Sequence, residues 1–219
     1  MNIKEFCNFL NISEPTIYNW RADKPNLYKI VMEYKKEKID NTDNLSEMLK
    51  YFNKLSEKEG LTPCYSYNGT TDVSKWKLDS KKIGKMKFEK EEAFLKAFDS
   101  AMVCNFDASG YRLPTRYEWE YAAGRYELHA DNIDDFAWYH DNSDYHSHEV
   151  ATKKSNEYGL YDMYGNVKEW CWNNKKDGNS RFMYGGDYSS DKRELITDDS
   201  SRPYNDFYRF GLRLVRTVE

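Results

Sequence analysis

The sequence predicts an α+β protein in two parts: a small three-helix module at the N-terminus, then a larger domain of irregular loops and short antiparallel strands. Apolar residues at helical spacing indicate the module within residues 1–39. The larger domain is indicated by two segments, Gly110–Ala123 and Asn156–Trp172, which crowd Gly, Trp, Tyr and carboxylates without a regular period. Such segments are typical of loops held by side-chain caps or by an ion. The alternating stretch Leu212–Val218 predicts a closing strand.

Composition narrows the class of protein. The 219 residues allow one medium domain or two small ones, and the 19 Tyr and 6 Trp predict an aromatic core. A net charge of −4 gives no reason to expect general affinity for polyanions. Without a membrane-length apolar run or a secretion signal, we expect no membrane partner and a cytoplasmic location. The four widely spaced cysteines, Cys7, Cys64, Cys104 and Cys171, are then expected to be reduced and buried.

The N-terminal module reads as three short helices. Ser13 is a suitable N-cap for a second helix over Glu14–Arg21, and Leu27, Ile30, Val31 and Tyr34 mark a third. Two short helices joined by a tight turn, with a third behind them, form a helix-turn-helix arrangement.

This arrangement leads to an expectation of DNA binding. The second helix would enter the groove with Thr16, Tyr18, Asn19 and Arg21, and Lys24 would contact phosphate. The module has seven Lys or Arg against five Asp or Glu, a weak electrostatic footprint for DNA. The alternative is a helical bundle that serves packing or dimerisation.

Residues 40–44 are the expected linker, and residues 45–219 the larger domain. Its first helix has Leu45, Met48, Leu49, Phe52 and Leu55 on one face and ends before Gly60. An extended segment, a lysine-rich surface loop over 68–87 and a helix over 94–102 follow. Thr115 and Glu118 have the spacing of a capping box, which predicts a helix that continues to Ala123.

Five motifs appear in the order of a known family, the formylglycine-generating enzymes or sulfatase-modifying factors, whose domain has a C-type-lectin-like fold. They are Phe52–Tyr65, Gly110–Ala123, Asn156–Trp172, Tyr184–Tyr188 and Gly211–Val215. The larger domain resembles that family, with the strand that usually precedes its first helix missing. The closing strand is then expected to lack one partner, and an unpaired edge invites another chain, so we expect a homodimer or a pairing partner.

The resemblance implies a structural calcium ion. Its ligands would be the side chains of Asp162 and Glu169 and the carbonyls of Gly165 and Val167. Carboxylates combined with main-chain oxygens are the ligands that Ca²⁺ prefers. In the alternative interpretation, both carboxylates only cap backbone amides.

The resemblance also bears on catalysis. Catalytic members bind copper(I) through a cysteine pair, and the corresponding positions here are Ser190 and Leu195. Copper(I) requires thiolates, so we expect no copper and no formylglycine-generating activity. A related iron-dependent branch uses three histidines in a sequence pattern that this chain does not have. His146 and His148 could bind a metal if both pointed the same way, but their polar surroundings favour a solvated loop.

Recognition loops are expected near the C-terminus. The loops that contain Asp187, Tyr188 and Ser190 and then Arg202 and Tyr204 mix rigid aromatic with adaptable polar residues, as binding loops do.

We therefore expect a non-catalytic protein that binds an unidentified protein or small molecule, with DNA binding as an added role. The alternatives are a metal-dependent oxidoreductase with a non-cysteine metal site and a fusion whose two parts share no role.

Overall fold

The computed structural model describes residues 31–32, 44–76, 97–98, 100–124, 132–174, 181–196, 210–211 and 213–217. Its helices are α1 (Asn44–Lys58), α2 (Arg116–Ala123) and α3 (Ile133–Phe136). Its strands are β1 (Val31–Met32), β2 (Tyr65–Tyr67), β3 (Met102–Cys104), β4 (Tyr111–Arg112), β5 (Lys168–Asn174), β6 (Arg181–Tyr184), β7 (Phe210–Gly211) and β8 (Arg213–Arg216). The expected α+β class is confirmed.

Three small sheets organise the described strands. Their orders are β1-β8-β4, β2-β3 and β6-β5-β7. All pairs are antiparallel except β5 and β7, which run parallel with Glu169 opposite Gly211. The parallel pair departs from the expectation of antiparallel strands alone.

The closing strand is flanked on both sides, so the expectation that it lacks a partner is wrong. Leu214 pairs with Val31 of β1, and Val215 pairs with Arg112 of β4. The helix expected around Val31 is also wrong at Val31–Met32, because pairing with a distant strand overrides local spacing. The reason given for a homodimer therefore disappears. The structure does not describe the other residues of the module, 1–30 and 33–39, or linker residues 40–43. The three-helix module therefore stays a prediction.

Helix α1 supplies the core as its spacing predicts. Met48, Leu49, Phe52 and Leu55 are all buried. On the same helix the buried Asn53 accepts the N–H of Tyr65 at 3.1 Å and donates to the Tyr65 carbonyl at 2.7 Å. One amide side chain thus fixes β2 against α1.

Two expectations on the middle of the chain need correction. Trp76, predicted in a surface loop, is buried, and its indole N–H donates to the Thr70 carbonyl at 2.9 Å. Met102, predicted to be helical, belongs to β3. Both residues pack into the core that α1 lines, because burial of large apolar surface outweighs the polar character of their neighbours in sequence.

The capping box of α2 is confirmed, and it is linked to a buried ion pair. Thr115 and Glu118 cap each other reciprocally, and the helix ends at Gly124 with a φ of +77°. The Glu118 carboxylate also accepts two hydrogen bonds of 2.8 Å from the guanidinium of Arg112 on β4. The cap therefore orients α2 relative to the sheet that contains β8.

A second buried ion pair joins β5, β8 and α2. Arg213 donates from Nε and Nη2 to the two oxygens of Glu169, at 2.8 and 2.7 Å. The Trp119 indole N–H donates to Glu169 Oε2 at 2.7 Å. The two charged side chains are 0% and 2% exposed, a position tolerable only because the charges are paired.

This pair predicts non-additive stability changes. Glu169→Gln or Arg213→Met alone should lower the free energy of unfolding by about 3–5 kcal/mol, because each leaves one buried charge without its partner. The double variant should lose less than the sum of the singles, measured by urea unfolding.

The control is Glu120→Gln, which removes the partly exposed pair between Arg116 and Glu120. Its cost should be about 0–1 kcal/mol. Single variants at the buried pair that cost no more than this control would contradict the geometry described.

Candidate functional site

The loop from Asn156 to Asn166 is held against α2 by side-chain hydrogen bonds. Asn156 Oδ1 accepts the N–H groups of Tyr158 and Leu160, both at 3.0 Å, and its Nδ2 donates to the Ala122 carbonyl at 2.7 Å. Caps of this kind were one of the two explanations that the sequence offered for the segment. The loop therefore has a fixed position at the C-terminal end of α2.

The second half of the loop is clamped to the segment that carries the histidines. Asn166 accepts the His148 N–H at 3.0 Å and donates to the His148 carbonyl at 3.1 Å. Gly165 has a φ of +71°, and a Cβ there would lie 2.1 Å from the Trp138 carbonyl oxygen. Only glycine fits this close approach.

Asp162 lies between these two clamps with one oxygen committed and one not. Its backbone has a φ of +51°, and its side chain belongs to a residue only 4% exposed. Oδ2 accepts the Ala151 N–H at 2.7 Å, whereas the buried Oδ1 has no hydrogen-bond partner. Burial raises the pKa of Asp162 above its ordinary value, although the Ala151 N–H, the Arg213 guanidinium and the Asn166 side chain all stabilise the carboxylate.

The four residues expected to bind calcium fit that ion only in part. Asp162 has an oxygen without a partner. Glu169 has hydrogen bonds to both oxygens, and the cation that neutralises it is Arg213. Ca²⁺ takes about six to eight oxygen ligands. Of the four carboxylate oxygens of Asp162 and Glu169, only Asp162 Oδ1 has no hydrogen-bond partner, so these side chains supply few of the ligands that the ion needs. Calcium with Gly165 and Val167 as carbonyl ligands stays a prediction.

The turn after β6 contains the two positions of the family's cysteine pair. Ser190 is buried, and its Oγ accepts the Asp187 N–H at 3.1 Å. Leu195 is 1% exposed and packs with Ile133 and Tyr139. A hydroxyl in a turn and an alkyl group in a core cluster occupy these positions.

The residues expected to bind a ligand divide into three groups. Asp187 is buried and uses Oδ1 to accept the N–H and Oγ–H of Ser189, each at 2.7 Å, so with Ser190 it supports the turn. Tyr188 is half-buried. Arg202 and Tyr204 lie outside the described residues, as do the expected DNA contacts Thr16, Tyr18, Asn19, Arg21 and Lys24.

The described thiols are poorly suited to bind copper. Cys64, Cys104 and Cys171 are free. Burial raises the pKa of Cys64 to about 11 and that of Cys104 to about 12, and it raises the pKa of Cys171 well above its usual value. The thiolate is the form that binds metals, and burial disfavours that form at all three positions.

Sequence reasoning missed a column of stacked side chains on the segment before the clamped loop. The ring of His148 stacks on Trp138 with centroids 3.8 Å apart, and the ring of His146 lies 4.4 Å beyond it. Lys153 Nζ is 3.9 Å from the Trp138 centroid, and it must cover the opposite indole face because His148 occupies the first. The planes of the two imidazoles are tilted by 35°. One nitrogen of each ring already lies within hydrogen-bond distance of a backbone carbonyl, that of Ser147 for His146 and that of Ser143 for His148, which favours packing over a metal site for this pair.

Two features are absent from the described residues. Among them, no three His, Cys, Asp or Glu side chains are grouped so that they would hold a metal ion. No helix in the same part of the chain has the length and apolar character needed to cross a bilayer.

Known proteins resemble this chain in sequence and in structure. Chaperone protein LppX of Paenibacillus barcinonensis is 31% identical over 150 residues, which cover 58% of this chain and 48% of LppX. The chain thus spans about half the length of this curated relative. Among solved structures, Treponema denticola variable protein 1 superposes with a TM-score of 0.62 at 27% identity, covering 79% of this chain and 69% of that protein. The crystal structure of CarF gives a TM-score of 0.61 at 25% identity, covering 93% of this chain and 82% of CarF.

A family model gives the assignment. The model of the sulfatase-modifying factor enzyme 1-like domain matches residues 44–218, about four-fifths of the sequence. That range contains α1, the capping box, the loop from Asn156 to Asn166 and the closing strand, which all lie in segments that the sequence analysis identified. This chain therefore belongs to the sulfatase-modifying factor enzyme 1-like domain family.

Proposed function

We propose that this chain is a non-catalytic binding protein on a C-type-lectin-like scaffold, and that it recognises a protein or small-molecule ligand. The observation that carries the proposal is the chemistry of Ser190 and Leu195, which stand where catalytic relatives have two cysteines. Both are buried, and neither provides a thiolate. Copper(I) chemistry by the route of those enzymes then has no ligands at this position.

The remaining described cysteines support the same proposal. Cys104 of β3 pairs with Tyr65, the neighbour of Cys64, and burial together with the charge of Cys64 raises the pKa of Cys104. A metal that required these thiolates would first have to overcome the unfavourable burial of charge. The thiols in this part of the protein are better suited to packing.

The names of similar proteins agree with a binding role. LppX is named a chaperone, a class of protein that acts by binding other proteins. The solved relative from Treponema denticola is named a variable protein. Neither name describes an oxidase.

The ligand would contact the loops that follow β6. Tyr188, Arg202 and Tyr204 are the proposed contacts, and the turn that carries Tyr188 is stiffened by the hydrogen bonds of Asp187 and Ser190. A rigid turn presents an aromatic side chain at low entropic cost, which favours affinity. Asp187 and Ser190 thus act by positioning their neighbours.

A copper and oxygen experiment tests the proposal. Purified protein titrated with copper(I) against a competing chelator should show no tight site, and a cysteine-containing peptide should cause no oxygen uptake. The matched control is the double variant Cys64→Ser/Cys104→Ser, which should behave like the natural sequence. Stoichiometric copper or iron together with oxygen uptake would replace this proposal with the metal-dependent oxidoreductase.

DNA binding by residues 1–39 is a separate proposal. The net charge of this segment favours it only slightly.

A gel-shift experiment decides whether DNA binds. At low salt, DNA should be retarded by the full chain and less strongly by Arg21→Ala, because removal of a phosphate or base contact weakens binding. Arg193→Ala, an exposed position in the larger domain, is the control and should bind normally. A chain that retards no DNA at low salt would exclude this role.

A further inference from the structure

Ser143 joins an exposed tyrosine to the turn that carries Tyr188. Its buried hydroxyl donates to the Tyr188 carbonyl at 2.6 Å and accepts the N–H of Tyr145 at 3.2 Å. A few residues earlier, the His140 N–H donates to the Ser190 carbonyl at 3.1 Å. Because one hydroxyl oxygen contacts the backbone of both Tyr145 and Tyr188, these two tyrosines lie close together.

Tyr145 combines high exposure with a fixed orientation. The residue is 66% exposed. Its hydroxyl lies 2.9 Å from His140 Nε2, and the two rings meet edge to face with centroids 5.1 Å apart. The imidazole is itself held, because its Nδ1 lies 2.9 Å from Asp141 Oδ1. An aromatic ring that is oriented before binding loses little entropy when a ligand stacks on it.

The backbone that presents this tyrosine is strained. Asp144 and Tyr145 have φ angles of +52° and +57°, in the left-handed region that a bulky residue rarely adopts. Such strain persists where the surrounding contacts enforce it, and it is concentrated at functional sites. Since most of Tyr145 is exposed, packing of its side chain does not explain why the chain holds it in this conformation.

The charge around the exposed ring is negative. Asp144 directly precedes Tyr145, is exposed, and has no hydrogen-bond or ion-pair partner in the part of the chain that the structure describes. Residues 139–149 and 187–194, the two segments that Ser143 and His140 join, hold six Asp or Glu against two Lys or Arg. A cationic group is therefore the complementary ligand for this surface.

An arginine side chain fits this surface better than a lysine side chain. The guanidinium is planar, so it stacks on an aromatic ring, and its fork of N–H donors matches a carboxylate. The lysine ammonium is a strongly hydrated point charge and gains less from stacking. Tyr145 supplies the ring, and Asp144 supplies the carboxylate.

We propose that Tyr145 and Asp144 form a docking surface for an arginine side chain of a protein partner, next to the Tyr188 turn. This inference rests on the proposed binding function. It adds a second segment to the ligand contacts, which the sequence predicted only after β6. His140 and Ser143 are positioning residues in this surface, because they act through Tyr145.

The test is an NMR titration of the full chain with the capped tripeptide acetyl-Gly-Arg-Gly-amide at constant ionic strength. The amide signals of Tyr145 and Tyr188 should shift and saturate. Acetyl-Gly-Lys-Gly-amide should bind about threefold more weakly, because it lacks the planar group. Acetyl-Gly-Glu-Gly-amide should cause no saturable shift, and free L-arginine should bind no better than the capped arginine peptide.

Variants at exposed positions sharpen the test. Tyr145→Leu should weaken binding of the arginine peptide about threefold, because it removes the aromatic face. Tyr145→Phe keeps that face and should retain most of the affinity. Asp144→Asn should weaken binding about twofold, as expected for an exposed charge pair. The matched control is Tyr117→Leu, at a tyrosine of α2 that is 74% exposed, and it should leave the affinity unchanged.

Three outcomes would overturn the inference: no saturable shift at Tyr145 and Tyr188, equal affinity for the arginine and lysine peptides, or equal losses from Tyr145→Leu and Tyr117→Leu. Tighter binding of free L-arginine than of the capped peptide would contradict a protein partner. These results are distinct from a failure of the proposed function. A chain that binds no arginine peptide but also shows no copper-dependent oxygen uptake loses only this docking surface.

Discussion

The pair formed by Glu169 and Arg213 is the interaction on which the rest of the described structure depends. It links β5 to β8 through two short hydrogen bonds, and it reaches α2 through the Trp119 indole. Arg213 also donates to the Tyr161 carbonyl at 3.1 Å, so the same guanidinium holds the loop next to Asp162. Two sheets, one helix and one loop meet at a single buried charge pair, and none of them can shift without exposing or separating the charges.

That pair also sets the electrostatics of the neighbouring loop. Arg213 forms an ion pair with one of two adjacent buried carboxylates, that of Glu169. In the other, the buried Oδ1 of Asp162 has no hydrogen-bond partner. A chain that uses its own guanidinium beside Glu169 has less need of an external ion there.

The sequence was a good guide wherever the deciding chemistry is local. The apolar face of α1, the reciprocal cap of Thr115 and Glu118 and the strand at Arg213–Arg216 all depend on residues a few positions apart, and all are confirmed. The family followed from five short motifs in a fixed order.

Long-range features were not accessible in the same way. No local pattern indicates that Val31–Met32 pairs with β8, that β7 runs parallel to β5, or that Arg213 takes both oxygens of Glu169. Asp187 and Ser190 have the composition of a recognition loop, but polar side chains that cap a turn have the same composition. Trp138, His148 and Lys153 are separated along the chain, and their contacts form only in the folded structure.

The packing of Leu195 has a consequence for attempts to introduce a cysteine pair into this chain. Its side chain fills a cluster with Ile133, Ala137 and Tyr139, and it lies so close to Gly186 that a Cβ there would be 2.7 Å from Leu195 Cδ2. Exchanging Ser190 and Leu195 for cysteines would therefore open a void in that cluster and bury the new sulfur atoms, where no substrate peptide reaches them. Introducing the chemistry of the catalytic relatives at these positions would therefore need a rebuilt turn, because the packing around Leu195 leaves no room for an accessible pair of thiols.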